Sequence, residues 1–198
     1  MDKITDVSTI PVGVVGLGLM GCSISTCLVI AGHPVIAVAP LPIDLLQAEK
    51  RIQGHLIHSK EHGLINQPAD FYFKQLNITE DYNQLKDCQV IIECTLEEIE
   101  IKKLVYEKIE AVISNEAILA SNTSAIPISL LQKQTLHPHR FFGLHWAEPS
   151  HTTRFLEIIC GELSDPVKAE FLYALSHNWG KEPTLVRKDI RGFIANRL

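Results

Sequence analysis

Short apolar runs alternate with longer amphipathic stretches along almost the whole chain. Ile10 to Val15 is apolar and β-branched, which predicts a strand; Leu19 to Ala31 is apolar with no internal proline, which predicts a helix closed by Gly32 and Pro34. Val35 to Val38 predicts a second strand. Pro42 suits the first turn of a helix, and Leu45, Leu46, Ile52, Leu56 and Ile57 carry its apolar pattern on to His62. Gly63, Asn66, Pro68 and Asp70 break that pattern. Phe71 to Ile78 alternates weakly and reads as a strand. Val90 to Cys94 and Ala117 to Ala120 are continuous apolar runs, as expected of parallel strands buried on both faces, with a helical stretch from Ile101 to Ile113 between them. Phe141 to Trp146 and Phe155 to Ile159 predict two more strands, Asp165 to Asn178 a helix, and Thr184 to Val186 a last strand. The alternation predicts an α/β fold: a doubly wound, mostly parallel sheet with helices on both faces.

The first strand runs straight into Gly16-Leu17-Gly18-Leu19-Met20-Gly21, the G-x-G-x-x-G spacing. Gly16 permits the tight turn, Gly18 lets the backbone approach a pyrophosphate, and Gly21 lets the helix pack closely on the sheet. The helix N-terminus then offers free N–H groups and its positive dipole end to the phosphates. The strand before and the helix after make this a dinucleotide-binding βαβ unit of the Rossmann type, with Gly16, Gly18, Leu19, Met20 and Gly21 around the cofactor.

Composition narrows the class. The chain has 198 residues, 46% of them hydrophobic and 21% charged, as in a folded globular domain, with a net charge of −5. No lysine- or arginine-rich stripe is present, so nucleic acid is not an expected partner. No stretch approaches the ~20 apolar residues that span a bilayer, so no membrane association is expected, and the polar start carries no secretory signal. The five cysteines (22, 27, 88, 94 and 160) include no C-x-x-C pair and read as reduced thiols of a cytoplasmic chain. The nine histidines form no metal-ligand motif, so no metal is expected.

In open α/β sheets, ligands bind beyond the carboxyl ends of the strands. Three polar sites fall there: Glu97, the Ser121–Ser124 turn, and His145 to Pro149. Glu157 interrupts the next apolar strand, where a carboxylate is costly to bury unless it is paired. His145 is the obvious partner, and a histidine held by a carboxylate suits a general base. From spacing alone, a sheet histidine beside a solvent-facing glutamate fits equally well.

The chain from Pro11 to Leu198 resembles the NAD-binding domain of the 3-hydroxyacyl-CoA dehydrogenases. Besides the glycine turn, the resemblance rests on Ile91-Ile92-Glu93 with Glu97 and Ile101-Lys102-Lys103, and on Ala120-Ser121-Asn122-Thr123-Ser124. It continues through Gly143-Leu144-His145 before a Glu-Pro pair, Leu156-Glu157-Ile158-Ile159, and Gly192-Phe193-Ile194-Ala195-Asn196-Arg197-Leu198. The resemblance implies interconversion of L-3-hydroxyacyl-CoA and 3-oxoacyl-CoA with NAD as cofactor. It implies His145 as the base, Glu157 as its orienting partner, Ser124 and Asn196 around the reacting oxygen, and Glu97, Lys102 and Ser124 at the cofactor. It also implies that residues 1–188 are the NAD-binding domain. Residues 189–198 would open a helical C-terminal domain, absent from this chain, that completes the substrate cleft and forms a homodimer.

Two positions depart from that pattern. Ala39 stands where an acidic residue binds the adenosine ribose, so weak NAD binding is expected; no arginine follows to favour NADP. Asp44 reads as a helix-start aspartate rather than a substitute. Glu148 replaces an asparagine that lies near the nicotinamide and sets a charge beside the cofactor. Arg51, His55, His58 and His62 share one helix face. They form either a solvated stripe or, by the resemblance, a contact with CoA phosphates in which His55 and His62 take part. Two rivals remain: a non-catalytic dinucleotide-binding or scaffold protein, which Ala39 and Glu148 favour, and a β-hydroxyacid dehydrogenase. The latter shares the Gly16–Gly21 motif, but its lysine-bearing glycine segment has no counterpart here.

Overall fold

The computed structural model describes residues 6–197. Its strands are β1 (Val12–Val15), β2 (Val35–Val38), β3 (Leu76–Thr79), β4 (Val90–Glu93), β5 (Ile118–Ser121), β6 (Phe141–Trp146), β7 (Phe155–Cys160) and β8 (Glu182–Val186). They form one sheet in the order β3-β2-β1-β4-β5-β6-β7-β8. Every neighbouring pair is parallel except β6 and β7. The helices are α1 (Leu19–Ile30), α2 (Pro42–Glu61), α3 (Ala69–Phe73), α4 (Ile99–Glu110), α5 (Ile128–Gln132) and α6 (Pro166–Asn178). Both faces of the sheet are covered, as a continuous apolar strand requires. Val12 and Val14 pack with Leu28 and Ile52 on one face. Val15, Ile91 and Leu119 pack with Tyr106, Ile109 and Leu131 on the other. This is the expected doubly wound α/β architecture.

The local differences have physical causes. Phe71 to Ile78 is not one strand: residues up to Phe73 form α3, and only Leu76–Thr79 pairs, with β2. Pro68 in extended backbone starts that helix, and the aromatic run that suggested alternation belongs to its single turn. Helix α5 was not expected, because five residues are too few to show a period. It sits where Gly143 leaves room, since a Cβ at that position would lie 2.7 Å from the Ile128 side chain. The five cysteines are free thiols, with Cys22, Cys27 and Cys88 buried and Cys94 and Cys160 half-buried. No helix among the described residues is long and apolar enough to cross a membrane.

The reversal at β7 decides what the sheet's edge presents. Strands β1, β4, β5 and β6 run parallel, so their carboxyl ends share one edge. Because β7 runs the other way, its beginning lies at that same edge, and His145 and Glu157 become direct register partners.

The glycine turn supports an experiment on folding alone. A Cβ on Gly21 would lie 1.8 Å from the Gly16 carbonyl oxygen, whereas a Cβ on Gly18 would meet nothing within 4 Å. Gly21→Ala should cost about 1–3 kcal/mol of stability in urea unfolding, the usual penalty for overpacking, and Gly18→Ala less than about 1 kcal/mol.

Candidate active site and dinucleotide cleft

Gly16 makes the turn off β1 with φ of 98°, and a Cβ there would press on the backbone of Cys94. Gly18 caps α1 with no side-chain hydrogen bond, so no side chain competes for the N–H groups of its first turn. Those N–H groups, the open space at Gly18 and the dipole of a 12-residue helix form a cradle that fits a pyrophosphate. Leu19, Leu41 and Leu96, exposed by 62%, 53% and 62%, stand at the ends of β1, β2 and β4 as apolar flanks of the same edge. At the end of β2, Ala39 is buried and offers no acceptor.

Beneath this rim lies an anion that sequence reasoning treated only as part of a motif. Glu93 ends β4 with no solvent exposure. Its Oε1 accepts from the Thr95 N–H (2.6 Å), the Thr95 hydroxyl (2.6 Å) and the Lys102 ammonium (2.9 Å). Its Oε2 accepts from Lys102 (3.0 Å), the Tyr106 hydroxyl (3.1 Å) and the Ser121 hydroxyl (2.7 Å). Lys102, on α4, is equally buried, so it meets the rim through Glu97, whose Oε2 lies 3.4 Å from its Nζ. The other oxygen of Glu97 accepts from the Thr123 hydroxyl (2.5 Å) and from the N–H groups of Ser124 (2.9 Å) and Ala125 (3.2 Å). Burial pushes the Glu97 carboxyl up, but the Thr123 bond, the Lys102 charge and the two backbone bonds outweigh it, and its pKa falls below the ordinary 4.5.

Farther along the edge, His145 Nδ1 donates to Glu157 Oε2 at 2.7 Å, with both side chains nearly buried. A carboxylate only accepts, so the bond places the proton on Nδ1 and leaves the lone pair of the neutral ring on Nε2. The rings of Phe155 and Phe193, at 5.6 and 5.5 Å, flank the imidazole. The second oxygen of Glu157 accepts from the Ile194 and Ala195 N–H groups, and Asn196 Nδ2 donates to the Ser124 carbonyl at 2.7 Å. The structure therefore brings His145, Glu157, Ser124 and Asn196 to one edge, with Glu97 bonded directly to the Ser124 turn.

Glu148 is exposed in the loop after β6. Partial burial of its carboxyl raises its pKa, against bonds from Ser23 and the Ser150 backbone. The loop is anchored by Lys181, whose ammonium donates to the carbonyls of Ser150 and Thr153 and lies 5.0 Å from the centre of the Trp146 ring. His55 stacks on His151 at 4.6 Å, while His62 sits farther along α2 against His58. Burial, then the neighbouring His55, His58 and Lys181, push His151 down to about 4, and burial likewise lowers His55. The stacked pair is therefore neutral at pH 7. No group of three or more metal-ligating side chains occurs among the described residues.

A glycine cradle at a helix N-terminus, on the same carboxyl edge of the sheet as a histidine–carboxylate pair, defines a dinucleotide-binding domain of the Rossmann type. More narrowly, residues 11–190 match the NAD-binding domain of 3-hydroxyacyl-CoA dehydrogenase, and the chain belongs to that family, whose cofactor is NAD. It is 30% identical over 190 residues to the 5-formyl-3-hydroxy-2-methylpyridine 4-carboxylate 5-dehydrogenase of Mesorhizobium japonicum, covering 94% of this chain and 60% of that relative. The structure resembles (S)-3-hydroxybutyryl-CoA dehydrogenase PaaH1 from Ralstonia eutropha at a TM-score of 0.90 and 26% identity, covering 95% of this chain and 66% of that one. It also resembles M. tuberculosis FadB2 at a TM-score of 0.89 and 30% identity, covering 97% and 68%. The chain thus spans 60% of the length of the Mesorhizobium japonicum relative.

The buried pair and the rim carboxylate each generate a stability experiment. Glu93→Gln leaves the buried Lys102 ammonium with only Glu97 as its anion, 3.4 Å away, and should cost about 3–5 kcal/mol in denaturant unfolding, while Glu93→Gln with Lys102→Met should recover most of that loss. Glu97 has a lowered folded-state pKa, so its stabilisation is complete above 4.5 and is lost as pH falls below that value. Glu97→Gln should therefore flatten the dependence of Tm on pH in the acid range below 4.5.

Proposed function

We propose that this chain is the NAD-binding and proton-transfer part of an enzyme interconverting L-3-hydroxyacyl-CoA and 3-oxoacyl-CoA. The observation that carries the reading is the 2.7 Å bond between His145 and Glu157 at the carboxyl edge of the sheet. Bound NAD supplies the two-electron acceptor at its nicotinamide ring. His145 Nε2 takes the proton of the 3-hydroxyl in the oxidative direction and returns it in reduction. Glu157 keeps the imidazole in the tautomer that this requires and offsets the positive charge it gains. Ser124 and Asn196, joined by the bond between amide and carbonyl, stand where the substrate oxygen is held. Gly16, Gly18, Leu19, Met20 and Gly21 enclose the pyrophosphate. Glu97, Lys102, Ser124 and Glu148 form the side of the cleft toward the nicotinamide, with Lys102 acting through Glu97.

His55 and His62 face the CoA side in this reading. His55 is held neutral, so it offers hydrogen bonding rather than charge. Arg51, one turn earlier on α2, supplies the cation. We further read residues 1–188 as the NAD-binding domain, residues 189–198 as the start of a helical domain through which the enzyme dimerises, and the cytoplasm as its compartment, with fatty-acid metabolism as its setting. A non-catalytic dinucleotide-binding role is the second reading, favoured by the missing acceptor at Ala39.

Acetoacetyl-CoA with NADH tests both readings. His145→Gln should lower the reduction rate by about two to four orders of magnitude with NADH affinity nearly unchanged, and Glu157→Gln should cost less. An unaltered rate in His145→Gln would remove the base assignment. Cofactor titrations by calorimetry should give weak NADH binding, no gain from NADPH, and none for Gly18→Val, whose side chain fills the phosphate cradle.

A further inference from the structure

Glu157 spends one oxygen on His145, and the other has an unusual environment. Its Oε1 accepts from two successive backbone amides, Ile194 N–H at 2.9 Å and Ala195 N–H at 3.1 Å. Consecutive amides converge on one atom where residues of opposite backbone hand follow one another, which turns the chain into a concave nest that binds anions. Gly192 and Phe193 have φ of 80° and 52°, and Ile194 returns to negative φ. Glycine adopts such values freely, but a bulky aromatic residue does not. Phe193 is the one non-glycine residue with positive φ among the described residues. It is also fully buried, with its ring 5.5 Å from that of His145.

We infer that Phe193–Ile194 forms an anion nest whose ligand is the Glu157 carboxylate, which makes Phe193 a positioning residue for His145. Backbone strain in a sparsely populated region persists where its surroundings over-determine it, and such strain clusters at functional sites. Here the surroundings are the carboxylate in the nest and the buried ring. The nest fixes the plane of Glu157, so the oxygen facing His145 cannot rotate away. It also sets the next turn of chain, in which the Asn196 N–H donates to the Gly192 carbonyl and the Asn196 side chain reaches the Ser124 carbonyl. The catalytic consequence rests on the dehydrogenase reading above; the nest itself does not.

Two substitutions at Phe193 separate the nest from mere packing. Phe193→Gly keeps positive φ and loses the ring, whereas Phe193→Val keeps much of the apolar burial and disfavours positive φ. In amide NMR of this chain, Ile194 and Ala195 should stay downfield and slow to exchange in Phe193→Gly. Both signatures should be lost in Phe193→Val and in Glu157→Ala. With acetoacetyl-CoA and NADH, kcat of Phe193→Val should fall at least about tenfold below that of Phe193→Gly, the size of the lost strain–anion coupling, while NADH affinity stays level. Retention of both amide signatures in Phe193→Val, or a kcat order that follows Tm with glycine the worse, would overturn the proposal. If Phe193→Gly does not fold, Ala195→Pro deletes one donor at the first position of a short 3-10 turn, where proline fits. The Ile194 amide should then shift as the sole remaining donor, and an unmoved Ile194 signal counts against the nest. An enzyme that carries its helical domain and still does not turn over acetoacetyl-CoA refutes the dehydrogenase reading, while the amide comparison in this chain still decides the nest.

Discussion

The buried carboxylate of Glu93 is the constraint on which the cleft depends. Removing a charge from water costs several kcal/mol, and the cost is met only where the charge is paired and its remaining lone pairs are filled. Glu93 satisfies both conditions by drawing in Lys102 and Tyr106 from α4, Ser121 from the end of β5, and Thr95 from the turn after β4. Each of these donors sits beside a segment that shapes the edge. The Glu93 carbonyl also accepts the Asn122 N–H at 2.8 Å, which ties the polar turn after β5 to β4 by backbone as well. Such a pair is weak evidence for net stability, because two well-packed apolar residues often do as well. What an apolar pair could not do is set a cation 3.4 Å behind Glu97, as Lys102 does.

From Glu93 a series of ion pairs and hydrogen bonds runs outward. Lys102 meets Glu97, Glu97 holds the Ser124 turn, and the Ser124 carbonyl holds Asn196. The chain of Asn196 then returns through Ile194 and Ala195 to Glu157, and so to His145. A contiguous path is not itself a demonstration of coupling. It does mean that the residues at the cofactor rim and those at the imidazole are positioned by one set of bonds. Polar networks in a low dielectric hold their geometry only when every member is satisfied, so the loss of one donor is felt by its neighbours.

How much of this was legible in the residues depends on the range of the cause. The glycine turn is local chemistry, and the spacing of Gly16, Gly18 and Gly21 was enough to place it. The demand of Glu157 for a partner was legible from its apolar strand, and the register of β6 and β7 met it. The reversal of β7, which brings a mid-strand glutamate to the carboxyl edge, is a property of topology, and no periodicity encodes it. Phe193 was hidden for another reason: its propensities argue against the positive φ that it adopts. The stacking of His55 on His151 joins α2 to a loop nearly a hundred positions away, so no pattern within the helix could show that one histidine of the stripe is covered by another ring.

That stack bears on what the cleft can recognise. With His151 pushed down to about 4 and His55 lowered as well, neither ring carries charge near neutral pH. Arg51 is different: its Nη1 lies 3.4 Å from the carbonyl of Leu17, inside the glycine turn, and its Nη2 donates to Gln47 at 2.5 Å. No carboxylate forms an ion pair with it among the described residues, whose ion pairs lie elsewhere. Ala39 removes an anion from the adenosine end, and Glu148 adds one in the loop after β6. The positive charge beside the carbonyl of Leu17 is thus an arginine on α2 that no carboxylate neutralises among the described residues, and its place is set by that carbonyl and by Gln47.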